Sequence, residues 1–297
     1  MGRNLPTDDG RRLEGLCEAV SRDASLRDAR RRDGRVRFGA GAPGIERLEA
    51  RFSQQAFSPH RHDTYAIGIT LAGVQRFNYR GEARHCLPGE CHVLHPDEQH
   101  DGAAATEHGF AYRIVYIDPG LIRDALGGGA LPFVTSPIVK PSSLSGRLPW
   151  GAWEIDNEVD QTARVDIAVG LADLLVAAAS GEAGGGGVLA EAAVSRVRDL
   201  IAADPARRQA MGALERISGL DRWTLARQFR TMFGTSPTRF RTFRQLDLVR
   251  RRITAGSSLA QASVDAGFAD QSHMSRHFKS AYGLTPKLWV SLTMSGN

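Results

Sequence analysis

Apolar segments of four to eight residues, separated by turn residues, follow one another between residues 36 and 118. They cover residues 65–71, 75–79, 91–94 and 110–117, with glycine or proline in the turns between them. Short strands spaced in this way predict a β-barrel or a β-sandwich. In the last segment Phe110, Tyr112, Ile114 and Tyr116 would face one side and Arg113 the other, because side chains alternate along a strand.

Apolar positions with helical spacing begin beyond this region. A short helix is predicted over residues 119–126 and a longer one over 162–179, where Val165, Val169, Ala172, Leu175 and Val176 recur at spacings of three and four. Such a stripe either packs in the core or pairs with the same helix of a second chain. The sequence beyond residue 188 has helical patterning throughout.

These patterns divide the chain into two domains and predict the α+β class. Residues 1–34 are polar, with three consecutive arginines at 30–32, and predict a disordered tail. Residues 35–181 would form a β-barrel with helices, and residues 189–297 an all-helical domain. Between them, residues 182–188 contain four consecutive glycines, which is typical of a flexible linker.

The charge of the chain is unevenly distributed. Residues 189–297 contain 17 basic and 8 acidic residues, a net charge of +9, whereas the remainder has a net charge of −4. A basic helical domain beside an acidic domain indicates a nucleic-acid-binding module attached to a domain of another kind.

Two further features of the sequence predict where the protein acts and the state of its cysteines. No apolar run is long enough to span a membrane, and the first residues do not resemble a signal peptide, so we expect a cytoplasmic protein with no membrane partner. Cys17, Cys86 and Cys91 form no CxxC pair, and their odd number indicates reduced thiols rather than a disulfide framework.

An internal repeat dominates the C-terminal domain. The segments LARQFR and FGTSP, at residues 225–230 and 233–237, match MSRHFK and YGLTP, at 274–279 and 282–286, with an offset of 49. Each copy predicts a helix-turn-helix, with Gly219 or Gly267 in the tight turn. Leu225 and Phe229, or Met274 and Phe278, would anchor the second helix on one face.

Two further helices are predicted around the repeat. The first helix of the first copy would bury Met211, Leu214 and Ile217. Between the copies, the chain from Pro237 to about Ala255 has no internal glycine or proline and predicts one spacer helix.

The outer face of each second helix carries side chains that can bond to phosphates and base edges. The candidate DNA-binding residues are Arg222, Trp223, Ala226, Arg227 and Arg230 in the first copy, and Gln271, Ser272, His273, Ser275, Arg276 and Lys279 in the second.

Residues 266–279, AGFADQSHMSRHFK, and 283–286, GLTP, resemble the signature of the arabinose-operon regulator (AraC/XylS) family. The resemblance extends over about residues 190–292, and Met274 stands where phenylalanine is more usual. It implies seven helices with one recognition helix in each half, and a transcription regulator that binds double-stranded DNA. The positions that it matches to base-reading residues are Trp223, Ala226, Arg227, Gln271, Ser272, His273, Ser275 and Arg276.

Residues 59–63, PHRHD, 87–90, LPGE, and 95–100, HPDEQH, resemble the cupin-type sensor domain of the same family. This resemblance implies a small β-barrel around a ligand cavity, with helices behind it that pair two chains. The candidate effector-binding residues are His60, His62, Tyr65, His100 and Tyr112. Aromatic and imidazole side chains suit a small organic effector.

The three histidines of this set raise an alternative. His60, His62 and His100 could bind a divalent metal, since His-x-His places two imidazoles on one side of a strand. The glutamate that metal-dependent cupins place shortly after the second histidine is missing here, so we expect no metal cofactor and no enzymatic activity.

The sequence therefore predicts a transcription regulator that binds specific DNA sequences and responds to an effector in its barrel. A homodimer is expected, and RNA polymerase is a further candidate partner. The alternative hypothesis is a metal-dependent cupin enzyme fused to a DNA-binding module. A third hypothesis, a regulator that senses no ligand, would require a barrel filled by its own side chains.

Overall fold

The computed structural model describes residues 34–53, 55–140, 148–179 and 190–294. Nearly all of the predicted tail, the predicted glycine linker and Cys17 lie outside these residues. The described chain forms a β-rich half followed by a helical half, which confirms the predicted α+β class. Within these ranges, no helix combines the length and the apolar character needed to cross a membrane.

Ten strands make up two antiparallel sheets in the described part of the first half. They are β1 (Arg35–Phe38), β2 (Ile45–Phe52), β3 (Gln55–His60), β4 (Tyr65–Gly73), β5 (Gln75–Tyr79), β6 (Glu82–Cys86), β7 (Cys91–Leu94), β8 (His100–Ala104), β9 (Phe110–Ile117) and β10 (Ile138–Val139). One sheet has the order β1-β2-β9-β4-β7-β10 and the other the order β3-β8-β5-β6.

The larger sheet is buried on both of its faces. Phe110 and Tyr112 of β9 point into the space between the sheets, where they meet Phe77 of the smaller sheet. Val115, an odd number of positions from both, packs on the other side in the same cluster as Trp153. The predicted alternation along this strand is therefore confirmed, and it separates the core of the β-rich half into two layers.

Helices cover the outer face of the larger sheet. They are α1 (Pro119–Ala125), a 3₁₀ turn (Trp150–Ala152) and α2 (Gln161–Ala178). On α2, Ala172 and Leu175 are buried against the sheet, whereas Val165, Val169 and Val176 remain 49%, 41% and 51% exposed. The predicted apolar stripe is thus divided between a core face and a solvent face.

A buried arginine attaches this outer layer to the sheet. The Arg47 Nε of β2 donates to the Ala40 carbonyl at 2.7 Å, and its terminal nitrogens donate to the carbonyls of Gly151, Glu154 and Asn157. These four carbonyl oxygens compensate the removal of this cation from water.

Seven helices form the described part of the second half. They are α3 (Glu191–Ala203), α4 (Met211–Ser218), α5 (Arg222–Phe233), α6 (Pro237–Thr254), α7 (Leu259–Asp265), α8 (Gln271–Tyr282) and α9 (Pro286–Met294). The predicted spacer is one continuous helix, α6. It contributes Phe240 to an apolar cluster around Phe229 and Leu246 to a second cluster around Phe278.

The prediction for the first helix of the first repeat is wrong in part. In α4, Leu214 is buried, but Met211 and Ile217 are 36% and 37% exposed. This helix of eight residues packs through the line of Leu214 and Ser218, whose hydroxyl donates to the Leu214 carbonyl at 2.8 Å. The two other apolar side chains lie beside that line and remain partly in solvent.

Candidate functional site

Two helix-turn-helix units, α4–α5 and α7–α8, are formed by local signals in the repeat. Gly219 and Gly267 adopt left-handed backbone conformations, with φ of 70° and 74°, between the two helices of each unit. A Cβ on Gly267 would lie 2.4 Å from the carbonyl oxygen of Ala206. Asp221 and Asp270 cap α5 and α8, because each carboxylate accepts hydrogen bonds from backbone amides of the first turn.

The second helix of each unit is held by the same pair of positions. Leu225 and Phe229 of α5 are completely buried, and so are Met274 and Phe278 of α8. Each pair is spaced i, i+4, so both anchors lie on one face of the helix. The opposite face of each helix therefore points away from the core.

The candidate DNA-binding residues lie on those outer faces. The exposed ones are Arg222, Trp223, Arg227, Arg230, Gln271, Ser272, Arg276 and Lys279, and the half-buried ones are Ala226, His273 and Ser275. Trp223 is 75% exposed, and exposure of so large an apolar side chain is typical of a surface that binds a partner.

Some of these side chains already have partners within the chain. Arg222 pairs with Glu215 at 3.1 Å in the preceding helix. The terminal nitrogen of Arg230 lies 3.8 Å from the carboxylate of Asp97, which belongs to the β-rich half. Of the arginines on α5, Arg230 is thus the one that a residue of the other half contacts.

Carboxylates of the β-rich half pair with arginines of α6 at three points. Asp97 pairs with Arg239, Asp63 with Arg244 at 2.9 Å, and Glu46 with Arg250 at 2.6 Å. The Asp97 and Asp63 side chains are only 4% and 8% exposed. Burial alone would lower the pKa of Arg244, but the Asp63 and Asp247 carboxylates raise it above its usual value, so the guanidinium stays charged.

The C-terminal end of α8 is hydrogen-bonded to β3 and to the residue that follows β3. The Ser58 amide donates to the Gly283 carbonyl at 3.1 Å, and the Arg61 amide donates to the Ser280 carbonyl at 3.0 Å. A Cβ at Gly283 would lie 2.9 Å from the Nδ1 atom of His60. Backbone contact this close requires glycine at the C-terminal end of α8.

A cavity of about 690 Å³ lies between the two halves. This volume falls within the ~300–1,000 Å³ that is usual for small-molecule sites. Residues of the β-rich half on its wall include Phe38, Phe57 and Tyr116, and residues of the helical half include Phe243 and Trp289. The ion-paired side chains of Asp63, Arg244, Glu46 and Arg250 also line it.

Three histidines meet at one edge of this cavity. His60, His62 and His100 are buried, and each can offer one nitrogen within 4.8 Å of those of the other two. Burial lowers the pKa of His60 to about 4 and that of His62 to about 3, and it lowers the pKa of His100 well below its usual value. All three imidazoles are therefore neutral at physiological pH.

Comparison with known proteins identifies both halves. The family model for the AraC-like ligand binding domain matches residues 42–149, and a model for a helix-turn-helix domain matches residues 214–291. This chain belongs to the AraC family of transcriptional regulators. It is a DNA-binding regulator with an N-terminal ligand-binding domain.

Individual proteins agree with this family. A Bacillus subtilis (strain 168) protein, described as an uncharacterized HTH-type transcriptional regulator YbfI, is 22% identical over 235 residues, which are 77% of this chain and 86% of that protein. The structure of ToxT from Vibrio cholerae O395 matches 86% of this chain and 100% of its own, with 12% identity and a TM-score of 0.59. The structure of ToxT from Vibrio cholerae strain SCE256 with a bound unsaturated fatty acid matches 89% of this chain and 97% of its own, with 13% identity and a TM-score of 0.55. These structures share the fold of both halves.

The structure brings together part of the predicted effector set of this AraC-family regulator. His60 and His62 line the cavity between the halves, and His100 adjoins them. Tyr65 is separated from them, because its hydroxyl donates to the Pro132 carbonyl at 3.0 Å in the layer under the helices. Tyr112 is stacked on a phenylalanine between the sheets. The expectation that all five surround one barrel cavity is wrong, because these two tyrosines face opposite sides of the larger sheet.

The interdomain carboxylates of the regulator were not found from the sequence. Asp63 and Asp97 lie within the segments PHRHD and HPDEQH, but those motifs indicate no partner for either carboxylate, and Glu46 belongs to no recognisable motif. The opposite net charges of the two halves were the one available signal, and they do not identify pairs.

Asp97→Asn should increase the affinity of the full chain for duplex DNA from its own promoter region by about 2- to 5-fold. The substitution would release Arg230 and Arg239, and an ion pair with exposed arginines contributes only ~0.2–1 kcal/mol. Asparagine tolerates the left-handed backbone at this position, where φ is 64°. Fluorescence anisotropy at fixed salt measures the change. Glu107→Gln, which removes an exposed charge elsewhere on the β-rich half, is the matched control. Equal affinities for the two variants would show that Asp97 does not restrain DNA binding.

Proposed function

We propose that this AraC-family regulator uses α5 and α8 to read DNA and that a ligand in the cavity between its halves controls their availability. The observation that carries this proposal is that one cavity is lined by both halves and by the ion pairs that join them. A ligand there contacts the sensor and the DNA-binding half at once. It can therefore favour one arrangement of the two over another.

The DNA-binding step would use residues 189–297, separated by the linker at 182–188 from a sensor and dimerisation domain at 35–181. The net charge of +9 favours a phosphate backbone. The outer faces of α5 and α8 offer guanidinium, amide and hydroxyl groups for base edges, chiefly Arg227, Gln271 and Arg276. Trp223 would make apolar contacts beside them.

Arg227→Ala and Arg276→Ala should each reduce affinity for the preferred site by ~1–3 kcal/mol and weaken base preference at one half-site. Arg208→Ala, in an exposed loop, removes the same charge and serves as the control. Binding to a library of randomised sites measures affinity and preference together. If affinity fell equally on all DNA sequences, and by no more than in the control, these arginines would contact phosphates at most and would not read bases.

The chemistry of the cavity favours an apolar carboxylic acid as effector. Aromatic rings from both halves, including Phe38, Phe243 and Trp289, would enclose an apolar body. The Arg250 guanidinium lies about 5.3 Å from the ring centres of Phe38 and Trp289, at the wall of this apolar space. The related Vibrio cholerae structures include one with an unsaturated fatty acid and one with (E)-4-(8-methylnaphthalen-1-yl)but-3-enoic acid.

A carboxylate in this position would compete with the protein for its own arginines. Arg250 is held by Glu46, and Arg244 by Asp63 and Asp247. An incoming carboxylate that takes one of these guanidinium groups would weaken a bond between the halves. Binding would then loosen the sensor from α6 and free the recognition helices for DNA.

Oleic acid should raise the affinity of the full chain for promoter DNA, whereas oleyl alcohol, which lacks the carboxylate, should have a much weaker effect. Titration calorimetry and DNA-binding anisotropy would be run with each compound below its micelle concentration. An identical response to the two compounds would exclude recognition of the carboxylate. If neither compound binds, the proposed effector class is wrong, although the DNA-binding prediction above is unaffected.

We also propose that the regulator is a homodimer formed through α2. Val165, Val169 and Val176 lie on its solvent face, and an exposed apolar stripe of this kind suits a second copy of the same helix. Val169→Glu should shift the protein from dimer to monomer in analytical ultracentrifugation, because it would bury a charge in the paired surface. Thr162→Glu, in the first turn of the same helix, should leave the dimer intact. An unchanged mass for Val169→Glu would place the dimer contact elsewhere.

The remaining predictions follow from this role. We expect the protein to act in the cytoplasm beside its DNA and to bind its ligand without transforming it. A contact with RNA polymerase stays a prediction, which transcription with purified polymerase and the native promoter would test.

A further inference from the structure

The three histidines at the edge of the cavity come from neighbouring strands. His60 ends β3 and His100 begins β8, and their Cα atoms face each other across the antiparallel pair. His62 follows two residues after His60. The ring centres lie 4.2 Å apart for His60 and His100, and 4.8 Å apart for His62 and His100. Three buried imidazoles thus surround one point.

In each imidazole the Nδ1 atom is hydrogen-bonded to a backbone carbonyl oxygen, and the Nε2 atom is not. The Nδ1 atoms of His60 and His100 lie 2.9 and 3.1 Å from the carbonyl oxygen two residues earlier, and that of His62 lies 2.9 Å from the carbonyl two residues later. A carbonyl oxygen can only accept, so each Nδ1 must carry the proton. Each Nε2 is then left with a lone pair and no hydrogen.

Three imidazole nitrogens that can act as metal ligands thus lie within 4.8 Å of one another. Among the described residues, the buried Nε2 atom of His62 has no hydrogen-bond partner. With the ring proton of each imidazole on Nδ1, the Nε2 atoms cannot donate hydrogen bonds to one another. A cation is the group that three converging lone pairs can bind at once. Metal-binding histidines characteristically donate their other nitrogen to a backbone carbonyl, as these three do.

We infer that His60, His62 and His100 bind a divalent first-row transition-metal ion, with a fourth position directed at the cavity between the halves. Imidazole ligands favour Zn²⁺, Co²⁺, Ni²⁺ or Cu²⁺ over Mg²⁺ and Ca²⁺, which prefer oxygen. Zn–N bonds of ~2.0–2.1 Å in a tetrahedron place the nitrogens about 3.4 Å apart. The present separations, up to 4.8 Å, would have to contract by rotation of the rings.

The cavity supplies the path and the open position. His60 and His62 form part of its wall, so an ion can reach the cluster without unfolding the barrel. Three protein ligands leave room for a water molecule or for a donor atom of a bound small molecule. This inference does not depend on the proposed fatty acid effector.

A second group of histidines could also bind a metal ion, and the test has to distinguish it from this site. His273 and His277 of α8 are one helical turn apart, and their Nε2 atoms lie 2.9 Å from each other. Two imidazoles at i, i+4 can also chelate a metal ion from solvent. His277→Gln therefore serves as a control, together with His108→Gln in an exposed loop.

The test uses the full chain without an affinity tag, stripped of metal with EDTA and titrated with Co²⁺ and then Zn²⁺. We expect one equivalent of Co²⁺ to bind with micromolar or tighter affinity and a visible d–d absorption band, and Zn²⁺ to displace it and raise the melting temperature. His62→Gln and His100→Gln should each weaken Co²⁺ binding by about 100-fold or more, because loss of a ligand exceeds the ~10–100-fold cost of losing an outer-shell partner. His277→Gln and His108→Gln should bind as the unmodified chain does.

Two results would overturn the inference. One is failure of the unmodified chain to bind Co²⁺ or Zn²⁺ at concentrations below ~1 mM. This result does not depend on the folding of any variant. The other is binding that survives in His62→Gln and is lost in His277→Gln, which would assign the metal to α8. Far-UV circular dichroism of each variant would establish that loss of binding is not loss of fold.

Discussion

The pairing of carboxylates in the sensor with arginines of the helical half determines how the two halves of this regulator are arranged. Asp63 and Asp97 are nearly inaccessible to water, and each is bound to a guanidinium group from the other half. A buried carboxylate without its partner would be strongly unfavourable, so the halves cannot separate unless these groups regain water or another ligand. Arginines are also the groups that attract DNA phosphates. Arg230, a candidate DNA-binding residue, also lies 3.8 Å from Asp97, so the proposed DNA contact would compete with the β-rich half for this side chain.

The cavity lies where this competition can be influenced. Its wall combines aromatic rings from both halves with the ion pairs themselves, so a ligand there changes the environment of the charges that hold the halves together. The histidine cluster is connected to the same contact. His60 ends β3, and the chain on either side of it is hydrogen-bonded to the end of α8. Movement of β3 would thus reach α8 directly.

Several elements could be predicted from the sequence because their causes are local. Asp221 caps α5, Gly219 turns the chain before it, and Leu225 and Phe229 anchor it, all within eleven residues of the repeat. The sidedness of β9 follows from the alternation of its side chains alone. Predictions of burial from apolar spacing failed where burial depends on neighbours outside the segment. Met211 and Ile217 have the right spacing for a core face, but the adjacent helices do not cover them.

The sequence by itself determined the class of the protein, the tandem helix-turn-helix units and the outward faces of their second helices, because capping, turn geometry and helical periodicity act over a few residues. Only the tertiary structure decided which parts of the two halves meet. Glu46 and Arg250 are 204 positions apart, and Asp63 and Arg244 are 181 apart. The structure also moved the candidate ligand site from the inside of the barrel to the contact between the halves. Pairing over such separations depends on how two folded surfaces fit together, and no spacing along the chain encodes that fit.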